Sequence, residues 1–253
     1  MSSVIVLEWK FSPPDYFESP TEIEQDNYTM TIDNGKAEAK IDSEVYEANP
    51  LMRDALHKAL NSRFLGVLLY SHKLYDLSRP TMIRVHDDGR IDRFLSVEPG
   101  RLKLTGGEVD FQITDKDGNV VVNTKQDRIE RKKAIADMVS KHAADDIVLA
   151  LLRSYEDSVR EPNNELLYLY EIRDALYAKF GRKMQSILNI SNSDWVWSWF
   201  GILCNNEPVQ QGRHRGKRYS ELRDATDDEL SKARRFAQAM IKAYLHYLDS
   251  RLT

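Results

Sequence analysis

Four permanent cations and a histidine occupy six consecutive positions, Arg213-His214-Arg215-Gly216-Lys217-Arg218, with Gly212 immediately before them. Guanidinium forks bind phosphate oxygens two at a time, and flanking glycines let the backbone come close to a ligand. His214 titrates near neutral pH, so it could exchange a proton with a ribose hydroxyl or a leaving oxygen, with Arg213 stabilising the charge that develops. Asn206, shortly upstream, offers an amide that could position either group. Trp195, Trp197 and Trp199 are three of the four tryptophans in the chain. Helical spacing places Trp195, Val196, Trp199, Phe200 and Leu203 on one face and leaves Trp197 on the other, free for a second core layer, an interdomain contact or stacking on a base. The candidate anion or nucleic-acid site is therefore Arg213, His214, Arg215, Lys217, Arg218, Asn206 and Trp197. The plain alternative is a solvated basic loop that pairs with Asp227-Asp228-Glu229.

Other chemistries lack their residues. The sequence has no glycine-rich phosphate loop with its lysine, no Gly-x-Ser-x-Gly elbow, and no paired Cys or His at zinc spacing, the six histidines lying apart. No metal or cofactor is expected. Asp115-Lys116-Asp117-Gly118-Asn119 and His86-Asp87-Asp88-Gly89 read as hairpin turns rather than as calcium or acid–base clusters. Lys and Arg against Asp and Glu number 15 against 21 over residues 1–125 and 21 against 19 over 126–253, so the halves carry −6 and +2. Neither has the basic excess of a duplex-binding domain, and any anion site must be local. The longest apolar runs, Phe64 to Tyr70 and Ile147 to Leu152, fall far short of the ~20 residues that cross a bilayer. Cys204 is the single cysteine, and no leader-like segment follows Met1. The expectation is a cytoplasmic protein without disulfides or a membrane span.

The elements that would position these residues change character near residue 125. Before it, Asp33-Asn34-Gly35, Asp87-Asp88-Gly89, Thr105-Gly106-Gly107 and Asp117-Gly118-Asn119 punctuate short β-prone runs: Val4–Phe11, Met30–Ile32, Thr81–Val85, Ile91–Val97, Val109–Ile113 and Val120–Val122. One helix interrupts them after Asn49-Pro50, marked by Leu51, Ala55, Leu56, Ala59 and Leu60. Beyond residue 125 the pattern is helical. A helix starts near Asp145-Asp146. Another carries the stripe Leu166, Leu169, Tyr170, Arg173, Leu176, Tyr177 and Phe180 and ends at Gly181. A last helix opens with the capping box Thr226/Glu229. The predicted fold class is α+β: a β-rich antiparallel domain with one helix over 1–125, then an all-α antiparallel helical bundle over 126–253.

Residues 126–253 resemble the HEPN superfamily of prokaryotic toxin–antitoxin, CRISPR-associated and antiphage systems. The likeness rests on the helix ending Tyr177-Ala178-Lys179-Phe180-Gly181, the Trp-rich helix running to Asn205-Asn206, the Arg213-His214 loop and the long closing helix. The resemblance implies a helical bundle and, in active members, a metal-independent endoribonuclease whose motif is Arg, four to six residues, then His, paired across a dimer. This chain departs from that motif. Arg218, Tyr219 and Ser220 stand where the His should follow Arg213; Glu207, Pro208 and Val209 stand where the Arg should precede His214. Three functions are compatible with these residues. The first is a non-cleaving regulatory module that binds nucleic acid, nucleotide or a partner through the Arg/His loop. The second is a ribonuclease with His214 as acid–base and Arg213 as charge stabiliser. The third is a structural subunit of a protein assembly or homodimer.

Overall fold

The computed structural model describes residues 3–86, 88, 90–94, 110, 112–114, 120–190, 194–213, 215 and 221–251. The turns expected at Thr105-Gly106-Gly107 and Asp117-Gly118-Asn119 lie outside them. The fold is α+β, with an antiparallel sheet in the N-terminal part and helices after it. The chain divides into two compact units, Met1–Val67 with Tyr75–Ser140, and Leu68–Leu74 with Lys141–Thr253.

The first unit is built on β1 (Val4–Ser12), β2 (Thr21–Gln25), β3 (Tyr28–Asp33), β4 (Lys36–Asp42), β5 (Asp76–Leu77), β6 (Thr81–Val85) and β7 (Ile91–Phe94). Their order is β2-β3-β4-β1-β6-β7, with β5 on the end of β1. In the central strand β1, Ile5, Leu7, Trp9 and Phe11 alternate onto one buried face, as a half-covered antiparallel strand requires. Leu7 is paired with Ala39 on one side and Met82 on the other. The β3–β4 turn has positive φ at both Asn34 (41°) and Gly35 (81°), the arrangement that matches the twist of a two-residue hairpin. A short α1 (Ser43–Ala48) precedes α2 (Met52–Ser71), whose Leu56, Leu60 and Phe64 are buried. Trp9 Nε1 donates to His57 Nδ1 at 3.1 Å, fixing α2 against the sheet, and Phe11, Tyr16, Phe17, Phe64 and Tyr75 form one aromatic cluster. A small two-stranded sheet pairs β8 (Gln112–Thr114) with β9 (Val120–Asn123).

Helix α3 (Thr124–Lys141) falls with this unit through Ser140, whereas the sequence pattern groups residues 126–140 with the later helices. Two contacts account for its position. Gly66 of α2 meets Ala136 so closely that a Cβ there would lie 2.8 Å from the Ala136 Cα. On the neighbouring turns, Arg128 donates from Nε to both carboxylate oxygens of Glu18 at 2.9 Å, and the buried Lys132 ammonium donates to Glu18 and, at 3.1 Å, to the Tyr16 carbonyl. Burial acts to raise the Glu18 pKa, but these hydrogen bonds and charges outweigh it and hold the carboxyl below its ordinary value. Glu18 itself has φ of 64°, a left-handed conformation that a non-glycine residue adopts only where its surroundings enforce it.

The second unit contains α4 (Asp146–Arg160), α5 (Glu165–Phe180), α6 (Met184–Ile187), α7 (Asp194–Asn205) and α8 (Asp227–Asp249). The Asp145 carboxylate caps α4 by accepting from the Ile147 and Val148 amides. Gly181 ends α5 at φ 58°, and Thr226 with Glu229 closes the capping box of α8. α5 packs on both α4 and α8 and also meets α7. Leu166, Leu169, Ile172 and Leu176 of α5 and Ala233, Ala237, Met240, Ile241 and Tyr244 of α8 are buried along those seams.

Candidate functional site

The segment that leads into the basic loop, Val209 to Arg213, is firmly anchored. Gln211 is nine-tenths buried: its side-chain carbonyl accepts from the Ala225 amide at 2.9 Å and its amide donates to Asp224 at 3.3 Å. Its backbone carbonyl accepts from the Leu167 amide in the first turn of α5, one of the donors a helix leaves unmatched. Val209 is buried and bridged to Arg223, and the Arg213 amide donates to the Cys204 carbonyl at 2.8 Å. Among the described residues Arg223 forms a two-pronged bridge to Glu229, and that hydrogen bonding holds the Glu229 carboxyl down at about 2.

Within this frame the arginines diverge. Arg213 lies on the middle of α5, with its guanidinium 5.0 Å from the Tyr170 ring centre and Nη1 donating to Asp174 at 2.9 Å. Arg215 turns to the start of α5, donating to the Asn164 side chain and the Asn163 carbonyl. Asn164 and Asp174 are ten residues apart, or about 15 Å of helix. The structure therefore strings Arg213 and Arg215 along α5 instead of drawing both around one anion. Asn206 is exposed just past the end of α7. His214, Lys217 and Arg218 lie outside the described residues.

Trp197 corrects the reading of α7. It is 6% exposed and packs edge-on against Phe236, with ring centres 4.8 Å apart. Among the described side chains the buried face of α7 is thus Trp197, Phe200, Leu203 and Cys204: of the roles open to Trp197 the core layer is the one it fills, and it is not free to stack on a base. The helix is apolar nearly all round, so its phase is chosen by its neighbours rather than by its own pattern. Phe200 stacks on Tyr170 at 5.9 Å and meets Phe236 at 5.0 Å, which fixes the rotation. Burial pushes the Cys204 thiol pKa up, so it stays protonated and inert.

Two residues of the expected apolar stripe, Arg173 and Tyr177, instead line the open surface. With Arg182, Gln185, Trp197 and Ser198 they border a cavity of about 180 Å³ beside Gly181 and Met184. Arg173 sits with its guanidinium 5.0 Å from the Tyr170 ring and donates to the Tyr170 hydroxyl. Tyr170 thus carries two cations, Arg173 and Arg213, against a single carboxylate, Asp174, among the described residues. Tyr177, 48% exposed, offers an aromatic ring at the cavity rim. The signal was present in the sequence as a lone Arg173 inside the α5 stripe. A cavity of about 360 Å³ in the first unit has the opposite character, lined by Asp15, Glu18 and Asp33.

A buried polar network occupies another part of the second unit. Gln238 donates to the Tyr155 hydroxyl at 2.8 Å, and that hydroxyl lies 3.2 Å from His72 Nδ1. Glu165, 1% exposed, accepts two hydrogen bonds from Arg234, at 2.5 and 2.7 Å, and lies 3.9 Å from His72 Nε2. Burial first, then the Arg234 charge, lowers the His72 pKa to about 4, so the ring is neutral at physiological pH. Burial also raises Tyr155 to about 12. The protonated Tyr155 hydroxyl and the neutral His72 ring thus share a hydrogen bond at Nδ1, and Nε2 faces Glu165. Among the described residues no group of three or more His, Cys, Asp or Glu could hold a metal ion, and no helix is long and apolar enough to cross a membrane. No family model matches the chain, and neither the curated proteins nor the solved structures contain a significant match to it.

Proposed function

We propose that the second unit is a regulatory module that binds single-stranded RNA along α5. The observation that carries this reading is the row of guanidinium groups there. Arg215 stands at the start of the helix, Arg213 and Arg173 flank Tyr170 in its middle, and Arg182 follows its end. From Asn164 to Arg182 the row covers about 27 Å of helix and flanking turn, enough for several backbone phosphates. The exposed Tyr177 ring between Arg173 and Arg182 supplies a face on which a base can stack. A row of cations with an aromatic step suits a flexible single strand better than a duplex, and the modest charge of residues 126–253 agrees.

The resemblance of residues 126–253 to HEPN helical bundles fits the same reading. A member lacking the Arg-to-His spacing would keep the bundle and bind without cutting, in a prokaryotic defence or toxin–antitoxin setting. The test is fluorescence anisotropy of a labelled single-stranded oligoribonucleotide with the full chain over a range of salt. Each arginine that contacts a phosphate adds about 0.7 to the slope of log affinity against log salt. Arg182→Gln with Arg213→Gln should therefore flatten the slope by about 1.4. An unchanged slope, or no salt-dependent binding, refutes the proposal. Cleavage of the RNA in EDTA, abolished by His214→Ala, would replace it with the ribonuclease reading.

A further inference from the structure

Where α5 ends, the chain leaves a hollow of a size that suits one flat ring. Gly181 turns the backbone at φ 58°, and Arg182, Met184 and Gln185 then border the same cavity as Tyr177 in the last turn of α5. Met184 is buried and anchors this return, so the cavity has a fixed wall on that side. No described atom lies within 4 Å of the point where a Gly181 side chain would begin, so a ligand can come up against the backbone there. Tyr177 is 48% exposed, and its side chain has no hydrogen bond and no ring contact among the described residues. Arg182, exposed beside it, makes no ion pair among them. Gln185 and Ser198 complete the polar border with an amide and a hydroxyl, groups that both donate and accept.

Size then narrows the class. About 180 Å³ corresponds to roughly six loosely packed water molecules. A stacked aromatic ring fills space at crystal-like density, so the same volume takes the roughly ten non-hydrogen atoms of a purine and leaves sugar and phosphate outside. A single-ring pyrimidine would leave part of it empty and forfeit those contacts. We infer that the cavity beside Gly181 takes one unstacked purine base, with Tyr177 on its face, Gln185 and Ser198 at its edge and Arg182 on the adjoining phosphate. Because the amide and the hydroxyl each donate and accept, they can meet an edge of adenine or of guanine. The base belongs either to the strand lying along α5 or to a free purine nucleotide. In the first case it sets the register: a strand whose other bases are interchangeable is held in place by the one that enters. The strand arm of this inference rests on the function proposed above; the nucleotide arm does not.

The experiment uses the full chain with two pairs of probes that differ only in the base. One pair is a short labelled oligouridylate and the same strand with one central adenosine, read by fluorescence anisotropy. The other is uridine 5′-monophosphate and adenosine 5′-monophosphate, read by equilibrium dialysis. The purine probe should bind about fivefold or more tightly than its uridine counterpart. Two substitutions at exposed positions separate the cavity from plain stacking on an open ring. Ser198→Leu fills the cavity and leaves the Tyr177 ring uncovered, and should bring the purine-to-uridine ratio close to one. Tyr177→Leu removes the ring and should weaken the purine probe about fivefold or more. Tighter binding of the purine strand than of the mononucleotide identifies the strand as the source of the base; equal binding identifies the free nucleotide. If neither strand binds but adenosine 5′-monophosphate binds more tightly than uridine 5′-monophosphate, RNA binding along α5 is refuted and the base cavity stands. Equal affinities within both pairs overturn the cavity, as does a purine preference that survives Ser198→Leu.

Discussion

His72 makes the stability of this protein depend on pH between two defined limits. In the folded chain it titrates at about 4 and in the unfolded chain near its ordinary 6.5. Between those values the unfolded chain takes up a proton that the folded one refuses, so stability is full above pH 6.5 and falls as the pH drops towards 4. The gap corresponds to a ceiling of about 3.4 kcal/mol. About a quarter of the side chain, 24%, meets solvent, and screening brings the expected loss to about 2–3 kcal/mol. The perturbation that isolates this contribution is His72→Asn. His72 has φ of 53°, which asparagine tolerates, and the Asn side chain can keep a hydrogen bond to the Tyr155 hydroxyl. The charged and titratable groups around it, Glu165, Arg234 and Tyr155, are left in place. Urea unfolding of both proteins between about pH 7.5 and pH 4.5 gives the comparison. The wild type should lose about 1.5–2 kcal/mol more than the variant over that interval. Parallel stability curves would show that His72 is not buried as a neutral ring, and the reasoning about the network would fall with it.

Close packing and buried charge give two further outcomes. Gly66→Ala should destabilise by about 1–2 kcal/mol despite the helix propensity of alanine, because the new Cβ would lie 2.8 Å from the Ala136 Cα and 2.9 Å from the Ile135 carbonyl, both backbone atoms that must move; a more stable variant in urea unfolding would contradict the α2–α3 crossing. Glu165→Gln leaves Arg234 without its counter-charge and should cost about 3 kcal/mol, a fall of roughly 6–12 °C in melting temperature, whereas Glu165→Leu with Arg234→Met should recover most of that loss. A single variant as stable as the wild type by calorimetry would mean that the pair is not desolvated.

What could be read from the sequence was local. The Asn34-Gly35 turn, the Asp145 and Thr226/Glu229 caps and the Gly181 stop are each decided within four or five residues, and each stands where expected. Strand β4 left no comparable signal. Lys36-Ala37-Glu38-Ala39-Lys40 buries alanines, whose weak β preference is overridden by pairing on both edges. The site was harder for the same reason. Arg213 and Arg215 are near neighbours in the chain, but which group each meets depends on how Gln211 anchors the loop to α5 and to the approach to α8. Spacing alone puts Trp197 on the wrong side because α7 has two apolar faces and only Phe236 and Tyr170 distinguish them.

The segment Leu68–Leu74 is counted with the later helices although it lies some seventy residues upstream of them in the chain, and it carries His72. Neither unit is therefore a continuous stretch of polypeptide, and no single cut yields both intact. During synthesis, the tail of α2 must wait for residues far downstream before Tyr155 and Glu165 reach His72. Inherited material of this kind does not recombine as exchangeable cassettes: a crossover near residue 125 or 140 would deliver the helices without the histidine that completes their polar interior.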